Sequence, residues 1–319
     1  MSMYAGCQIH NARERPDIWQ ALSRPDHPLN VAWPIFLDHD PTFTRYYPKL
    51  TEYEELAQYQ YAITETDSTG QISAIACGRS VPFFWPDEDL VDSSGQVSPE
   101  ALHNLPSGGY DTILARGVRQ YLTRHNLPGA STALTEDQER DLWACQSNNP
   151  PNALAAISIT VRPDRRQQGL AEVLIQTMKQ AAAEAQLHLL VVPLRPTLKA
   201  DFPTVPMDEY VSWPNPKGHG LFDPWLRKHV RLGAQPIKIA PSSMVVSGSV
   251  LEWTKWTGID IEQFVQKMCL KDVRLEVATN KVYVEIPFQG GLVPLRYYFL
   301  EGMCVYTEPN VWLFHSVHP

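Results

Sequence analysis

The 319-residue chain is poor in several things, and each shortage removes a class of function. No block of lysine or arginine stands out among 27 basic and 35 acidic residues, and the net charge is −8. A nucleic-acid partner is therefore not expected. Cysteine is sparse: five residues lie scattered at 7, 77, 145, 269 and 304, an odd number with no Cys-x-x-Cys or His-rich spacing. That usage suits free thiols in a reducing compartment and excludes a cysteine-built metal centre. No apolar run reaches membrane-spanning length. The start, Met-Ser-Met-Tyr-Ala-Gly-Cys, has neither the basic segment nor the apolar core of a signal peptide. These absences lead us to expect a soluble, cytoplasmic protein with no membrane or nucleic-acid partner and no metal. Internal repeats and low-complexity linkers are also missing, so composition marks no domain boundary. Proline is abundant at 27 residues, which predicts rigid, irregular connections.

What remains is ample core material, 44% hydrophobic, and one stretch that organises it. Residues 153–161, Ala-Leu-Ala-Ala-Ile-Ser-Ile-Thr-Val, read as a buried strand, and Pro163 ends it. Leu170, Val173, Leu174, Met178, Ala181 and Ala182 then recur on one face of a helix reaching Gln186. Between them lies Arg165-Arg166-Gln167-Gln168-Gly169-Leu170-Ala171. A helix start carries unpaired N–H groups and favours an anion. Gly169 lets that anion approach, Ala171 keeps the first turn open, and Arg165 and Arg166 add charge. The turn is not a P-loop, because no Gly-Lys-Ser/Thr follows. It is not a dinucleotide fingerprint, because two of three glycines are absent. An ordinary strand–helix crossover with a basic turn is the simpler alternative.

The rest of the chain gives a coarser reading. Two strands, 59–66 and 71–81, form a hairpin about Asp-Ser-Thr-Gly, and 110–125 has helical periodicity. The connection 126–152 reads as a rim or lid over the site. Residues 187–194 form a second strand, parallel to the first. The segment 223–233 is a punctuated helix, with Asp223 as cap, Pro224 first and Gly233 last. Asp38, His39 and Asp40 read as a helix cap before Pro41 rather than a metal or acid–base cluster. Strands are expected at 243–250, 282–286, 292–300 and 303–307, with a Trp-rich helix near 252–256 and a packed tail at 308–315. Tryptophans 213, 225, 253, 256 and 312 are read mainly as core, and Arg227 with Arg231 as a solvated helix face.

The motif Arg166-x-x-Gly169-x-Ala171 directly after a strand ending at Val161 resembles the acyl-CoA-binding motif of the GCN5-related N-acetyltransferase (GNAT) superfamily. Further segments, among them Val81-Pro-Phe-Phe-Trp85, Val192-Pro-Leu-Arg-Pro-Thr-Leu-Lys199, Phe222 to Gly233 and Glu308-Pro-Asn-Val-Trp312, resemble a long GNAT-like group similar to the GNAT-like decarboxylase domains of polyketide loading modules. The resemblance implies an α/β fold with a mixed, mostly antiparallel sheet, flanking helices and a central parallel βαβ unit. It implies one domain: a helical extension at 1–58, a core at 59–235 holding the CoA motif at 153–186, and a β-rich extension at 236–319. It implies acetyl-CoA or another acyl-CoA as cosubstrate, held by Ile159, Val161, Arg166, Gln167, Gln168, Gly169, Leu170 and Ala171.

Two chemistries fit that cradle. Acyl transfer to a small amine needs a neutral nucleophile, an oxyanion donor and a proton for the thiolate. The superfamily often supplies that proton from a tyrosine, for which Tyr210 is the nearest candidate; Asp208, Glu209 and His229 are candidate bases. Decarboxylation of a malonyl thioester, on CoA or on a carrier protein, needs an electron sink, and the resemblance assigns it Trp85, Thr197 and His229. A CoA-binding protein without turnover is the third alternative.

Overall fold

The computed structural model describes residues 6–85, 90–92, 96–129 and 148–317. Most of the expected rim (130–147) and parts of the 87–109 loop lie outside the described residues.

The elements run in chain order as follows. β1 (Cys7–Asn11) and α1 (Pro16–Leu22) precede the 3-10 turns Asn30–Ala32 and Ile35–His39, then α2 (Pro41–Tyr46), α3 (Lys49–Glu52) and α4 (Glu54–Ala57). β2 (Gln60–Thr66) and β3 (Ile72–Phe83) form the expected hairpin. Then come α5 (Pro99–His103), α6 (Gly109–Arg124), β4 (Ala153–Val161), α7 (Leu170–Glu184), β5 (Leu189–Leu194), α8 (Met207–Val211) and α9 (Pro224–Arg231). β6 (Gln235–Ser249), α10 (Val250–Thr257), α11 (Ile261–Gln266), β7 (Val273–Glu276), β8 (Lys281–Ile286), β9 (Leu295–Tyr298) and β10 (Met303–Ser316) complete the chain.

One ten-stranded sheet holds all of this together, in the order β1-β2-β3-β4-β5-β10-β9-β8-β7, with β6 along the other edge of β10. Every pairing is antiparallel except β4–β5. The expected mixed sheet with a parallel βαβ unit is what forms.

Two regions differ from the sequence expectation. The stretch 1–58 is not wholly helical, because β1 pairs with β2 as an edge strand. The region 236–319 is not an outer extension, because β10 runs through the middle of the sheet. Its final residues pair with β5, its first with β9, and β6 follows its length. Prolines interrupt β6 and β10 in the sequence. Pro309 sits at a register shift between Glu308 and Asn310, where a missing N–H costs no ladder bond.

The two sheet faces carry separate cores. On one, Leu170, Leu174, Ile175, Met178 and Ala182 of α7 cover Leu154, Ala156, Leu190, Val192 and Leu313. On the other, α6 covers Val81, Phe83, Ala153, Ala155 and Trp312. Each fully buried large apolar side chain contributes about 1.5–3 kcal/mol. α6 approaches β3 closely at Gly117, where a Cβ would come within 2.3 Å of Val81.

Candidate functional site

β4 and β5 are partners only at their beginnings, Leu154 with Leu190 and Ala155 with Val191. Beyond these pairs β4 stays with β3 while β5 stays with β10. The cause is local. Between Arg79 and Ser80 the register on β4 jumps from Ser158 to Ala156, so Ile157 is an extra residue and bends the strand. The two strands splay into a wedge that opens toward their carboxyl ends. The backbone edge of β4 from Ala156 onward faces this wedge without a strand partner. Such an edge can pair with an extended, amide-bearing arm. Ile159 and Val161 point toward α7, and Ser158 and Thr160 toward the other face.

The mouth of the wedge holds the turn singled out in the sequence. Gln167 and Gly169 both take left-handed conformations, with φ of 64° and 76°. Gly169 is the N-cap of α7 and offers no side-chain cap. Val173 N–H bonds to the Gly169 carbonyl, and the N–H groups before it, from Gln168 to Glu172, have no acceptor among the described residues. A Cβ on Gly169 would meet nothing within 4 Å, so the space over the helix start is open. That combination fits the diphosphate of CoA.

The charges differ from the sequence expectation. Arg165 and Arg162 both bind Glu65 of β2, at 2.9 and 2.6 Å, and both bind Asp164. Arg165, then Arg162, holds the Glu65 carboxyl below its ordinary range. These guanidinium groups therefore fix the turn, and Arg166 is exposed with no ion pair among the described residues. Glu172 in the first turn of α7 is neutralised by Arg231 (3.1 Å) and Lys228 (3.7 Å) of α9. Arg227 bonds the carbonyls of Leu221 and Phe222. Arg227 is thus tied into the backbone, while Arg231 stays on the solvated face as expected.

His229 is 1% exposed and His315 is fully buried. Their rings meet at 2.9 Å, Nδ1 of His229 to Nε2 of His315. Burial, with each histidine's neighbouring positive charges, lowers His229 to about 3 and His315 to about 4, so both are neutral at pH 7. One ring donates and the other accepts, which ties the two tautomers together. His229 Nε2 is buried with no partner. His315 lies opposite Leu190 on β10, at the level where β4 and β5 are still joined. The dyad therefore sits beside the closed apex of the wedge, on the α7 face.

The dyad has a thermodynamic signature. The unfolded chain takes up protons at its histidines below about pH 6.5, while the folded chain resists until about pH 4 or lower. The stabilisation is present above pH 6.5 and is lost as pH falls through this window. Each histidine is expected to cost about 2 kcal/mol between pH 7 and 5. Urea unfolding at both pH values should show a slope up to about 4 kcal/mol flatter in a His229→Gln/His315→Gln double variant than in the wild type. Equal slopes would contradict the buried neutral pair.

On the opposite face the segment 29–47 lies across the wedge. Trp33 Nε1 donates to Thr160 Oγ1 of β4 (3.0 Å), and Pro34 and Phe36 reach the 288–291 loop. The Tyr47 hydroxyl faces Ser158. Asp40 caps α2 as expected, accepting from Phe43 N–H at 2.8 Å. Its other oxygen faces Asp111 of α6. Burial, and then Asp40, raises the Asp111 carboxyl well above its ordinary range. The two carboxyl groups face each other, with no cation paired to them among the described residues. Tyr110 feels Tyr47, Asp40, Asp111 and Arg79 together. Behind them Arg195, at the end of β5, pairs with fully buried Glu308 at 2.9 Å, which also accepts from Tyr306 and Asn310. Asp111 and Arg79 carried no sequence signal: one lies in a helix start and the other in an apolar strand.

The remaining sequence candidates fall elsewhere. Tyr210 is buried, and its hydroxyl donates to Asp223 Oδ2 at 3.0 Å. Burial and that carboxylate push its ionisation upward. Asp223 in turn caps α9 through Trp225 and Leu226 N–H, so Tyr210 braces the helix that carries His229. Its proton is not free for a thiolate. Trp85 is buried against Phe83 in the α6-side core, and Asn152 at the start of β4 pins its backbone. Thr197 is exposed beyond the far end of β5. Leu198, next to Thr197, donates its N–H to Asp223, the cap of the helix that carries His229, while Trp85 lies in the α6-side core. An open groove of about 250 Å³, lined by Glu55, Tyr59, Tyr121, Arg124 and Pro151, lies by the start of β4, away from the wedge mouth. No group of residues able to hold a metal occurs among the described residues, and no described helix is long and apolar enough to cross a membrane.

No family model matches the chain. Over 324 aligned positions it is 34% identical to the arginine N-acetyltransferase avaD of Aspergillus versicolor, covering 100% of this chain and 97% of that protein. Among solved structures it is similar to the loading GNAT-like domain of CurA from Lyngbya majuscula (14% identity, 98% of each chain, TM-score 0.47). It is also similar to the GphF GNAT-like decarboxylase in complex with isobutyryl-CoA (13% identity, 98% of this chain and 100% of that one, TM-score 0.40).

Proposed function

This chain belongs to the GNAT superfamily of N-acetyltransferases, and from that premise we propose that it transfers an acetyl group from acetyl-CoA to the amine of a small cationic acceptor, of which arginine is the type. The observation that carries the reading is the wedge: an unpaired strand edge, a bare helix start at its mouth, and a buried carboxyl pair on the face opposite α7. The CoA diphosphate rests on the N–H groups of residues 168–172 with Arg166 beside it. The pantetheine arm runs along the β4 edge near Ile159 and Val161 toward Ile157. The neutral amine attacks the thioester carbonyl, and backbone N–H groups at the bulge meet the developing oxyanion. The amine sheds a proton, and the expelled thiolate gains one. His229, neutral and with Nε2 free, donates a hydrogen bond at the apex, its tautomer set by His315.

The Asp40–Asp111 pair favours a cationic acceptor. A guanidinium entering there favours ionisation of both carboxyl groups and pairs with two desolvated carboxylates. The relative's arginine substrate is consistent with this. The test is a panel of amines offered with acetyl-CoA. L-Arginine is expected to outrun phenethylamine at least about tenfold in kcat/KM, and Asp111→Asn should erase most of that preference. Equal use of charged and uncharged amines would contradict a cationic acceptor.

A further inference from the structure

Arg79 is a buried cation of this face that packs against rings. It is 8% exposed, midway along β3. Its guanidinium packs on the Trp19 ring at 4.6 Å and on the Tyr47 ring at 4.2 Å. No carboxylate or carbonyl among the described residues accepts a hydrogen bond from it, and its Nε is buried without a partner. The contrast with Arg195 is direct, since Arg195 is paired with Glu308. Two ring contacts recover only part of the cost of desolvating a guanidinium. A fixed, buried cation of this kind needs an anion to complete it.

The N–H fork of the guanidinium sets how that anion binds, in the plane of the group. In-plane, two-pronged recognition is the geometry of a carboxylate. Arg79 is the register partner of Ser158, beside the bulge where the wedge opens, and Gly78 before it faces α7, so Arg79 faces the other way. Tyr110 feels both Arg79 and the Asp40–Asp111 pair.

We propose that Arg79 binds the carboxylate of the acceptor, and so selects an α-amino acid over the corresponding simple amine. This rests on the N-acyl-transfer reading above. The acceptor then spans the face, with its carboxylate on Arg79, its α-amine beside the β4 bulge and its cationic side chain toward Asp40 and Asp111.

The test compares L-arginine with agmatine, which lacks only the carboxylate, in the wild type and in Arg79→Met. The wild type is expected to prefer arginine. The variant should lower the arginine-to-agmatine ratio of kcat/KM about 30-fold, the scale of a charge-assisted bidentate pair, chiefly through the KM for arginine. Its melting temperature should not fall, because an uncompensated charge has been removed. An unchanged ratio would overturn the proposal, as would a ratio kept while the melting temperature drops, which marks a structural arginine. Arg79→Met weakening malonyl-CoA binding while sparing the ratio would reassign the residue to an acyl-chain carboxylate, and would also overturn it. If the wild type acetylates neither amine, the transfer reading fails on its own. Calorimetry with L-arginine on the CoA-loaded protein then decides: binding lost in Arg79→Met supports the residue's role, and equal or absent binding removes it.

Discussion

Gly169→Glu is expected to weaken CoA binding at least about 100-fold while leaving the fold intact. Two effects act together. The glycine sits at φ 76° with open space where its Cβ would be. A side chain there meets no protein atom, so folding pays only the left-handed backbone strain, on the order of 1 kcal/mol. The same side chain occupies the ground over the N–H groups of residues 168–172. Its carboxylate satisfies the helix start from within and repels a diphosphate. Gly169→Ala separates the terms, since it carries the strain and a methyl group without the charge. Its loss of affinity should be smaller than that of the glutamate variant. Titration of CoA by calorimetry reads both, with thermal melts as control. Undiminished affinity in Gly169→Glu would remove the helix start from the site.

His229→Ala is expected to lower kcat by about 10²–10³-fold with CoA affinity nearly unchanged, the scale of losing one positioned proton donor. The residue is too deep to touch the diphosphate and lies at the apex, so the loss falls on turnover. It also leaves His315 without its partner, which costs about 1–3 kcal/mol of stability. His315→Gln provides the control. It keeps a hydrogen-bonding group against His229 Nδ1 but alters the tautomer balance, so it should shift the pH profile of kcat more than its plateau. Full activity in His229→Ala would make the dyad a packing feature.

Legibility in the sequence followed local signals. β4, α7 and α9 were readable because apolar periodicity and punctuation agree: Pro163 stops a strand, Gly169 opens a helix, and Asp223-Pro224 caps another. β10 was read as a short strand and a tail because Pro309 interrupts it, and Pro236 and Pro241 similarly shortened β6. The structure absorbs Pro309 at one of the two register shifts in the β6–β10 pairing, a choice made by the neighbouring strand and invisible locally. Within the site, the cradle was legible because its chemistry is local backbone. Arg165 was assigned to the ligand because Glu65, its partner, lies 100 residues away. Tyr210 is a candidate in the sequence because nothing local ties its hydroxyl to Asp223, a pairing that folding supplies. Arg79 gave no signal, because an arginine becomes informative only once it is known to be buried and unpaired.

Mass spectrometry of one set of incubations tests the transfer reading most directly: acetyl-CoA with L-arginine, and malonyl-CoA with no amine. Acetylarginine in the first, with an unchanged malonyl-CoA pool in the second, is the outcome expected of an N-acetyltransferase. Acetyl-CoA appearing from malonyl-CoA, with no acetylated amine in either, would contradict it and make the wedge a decarboxylase site.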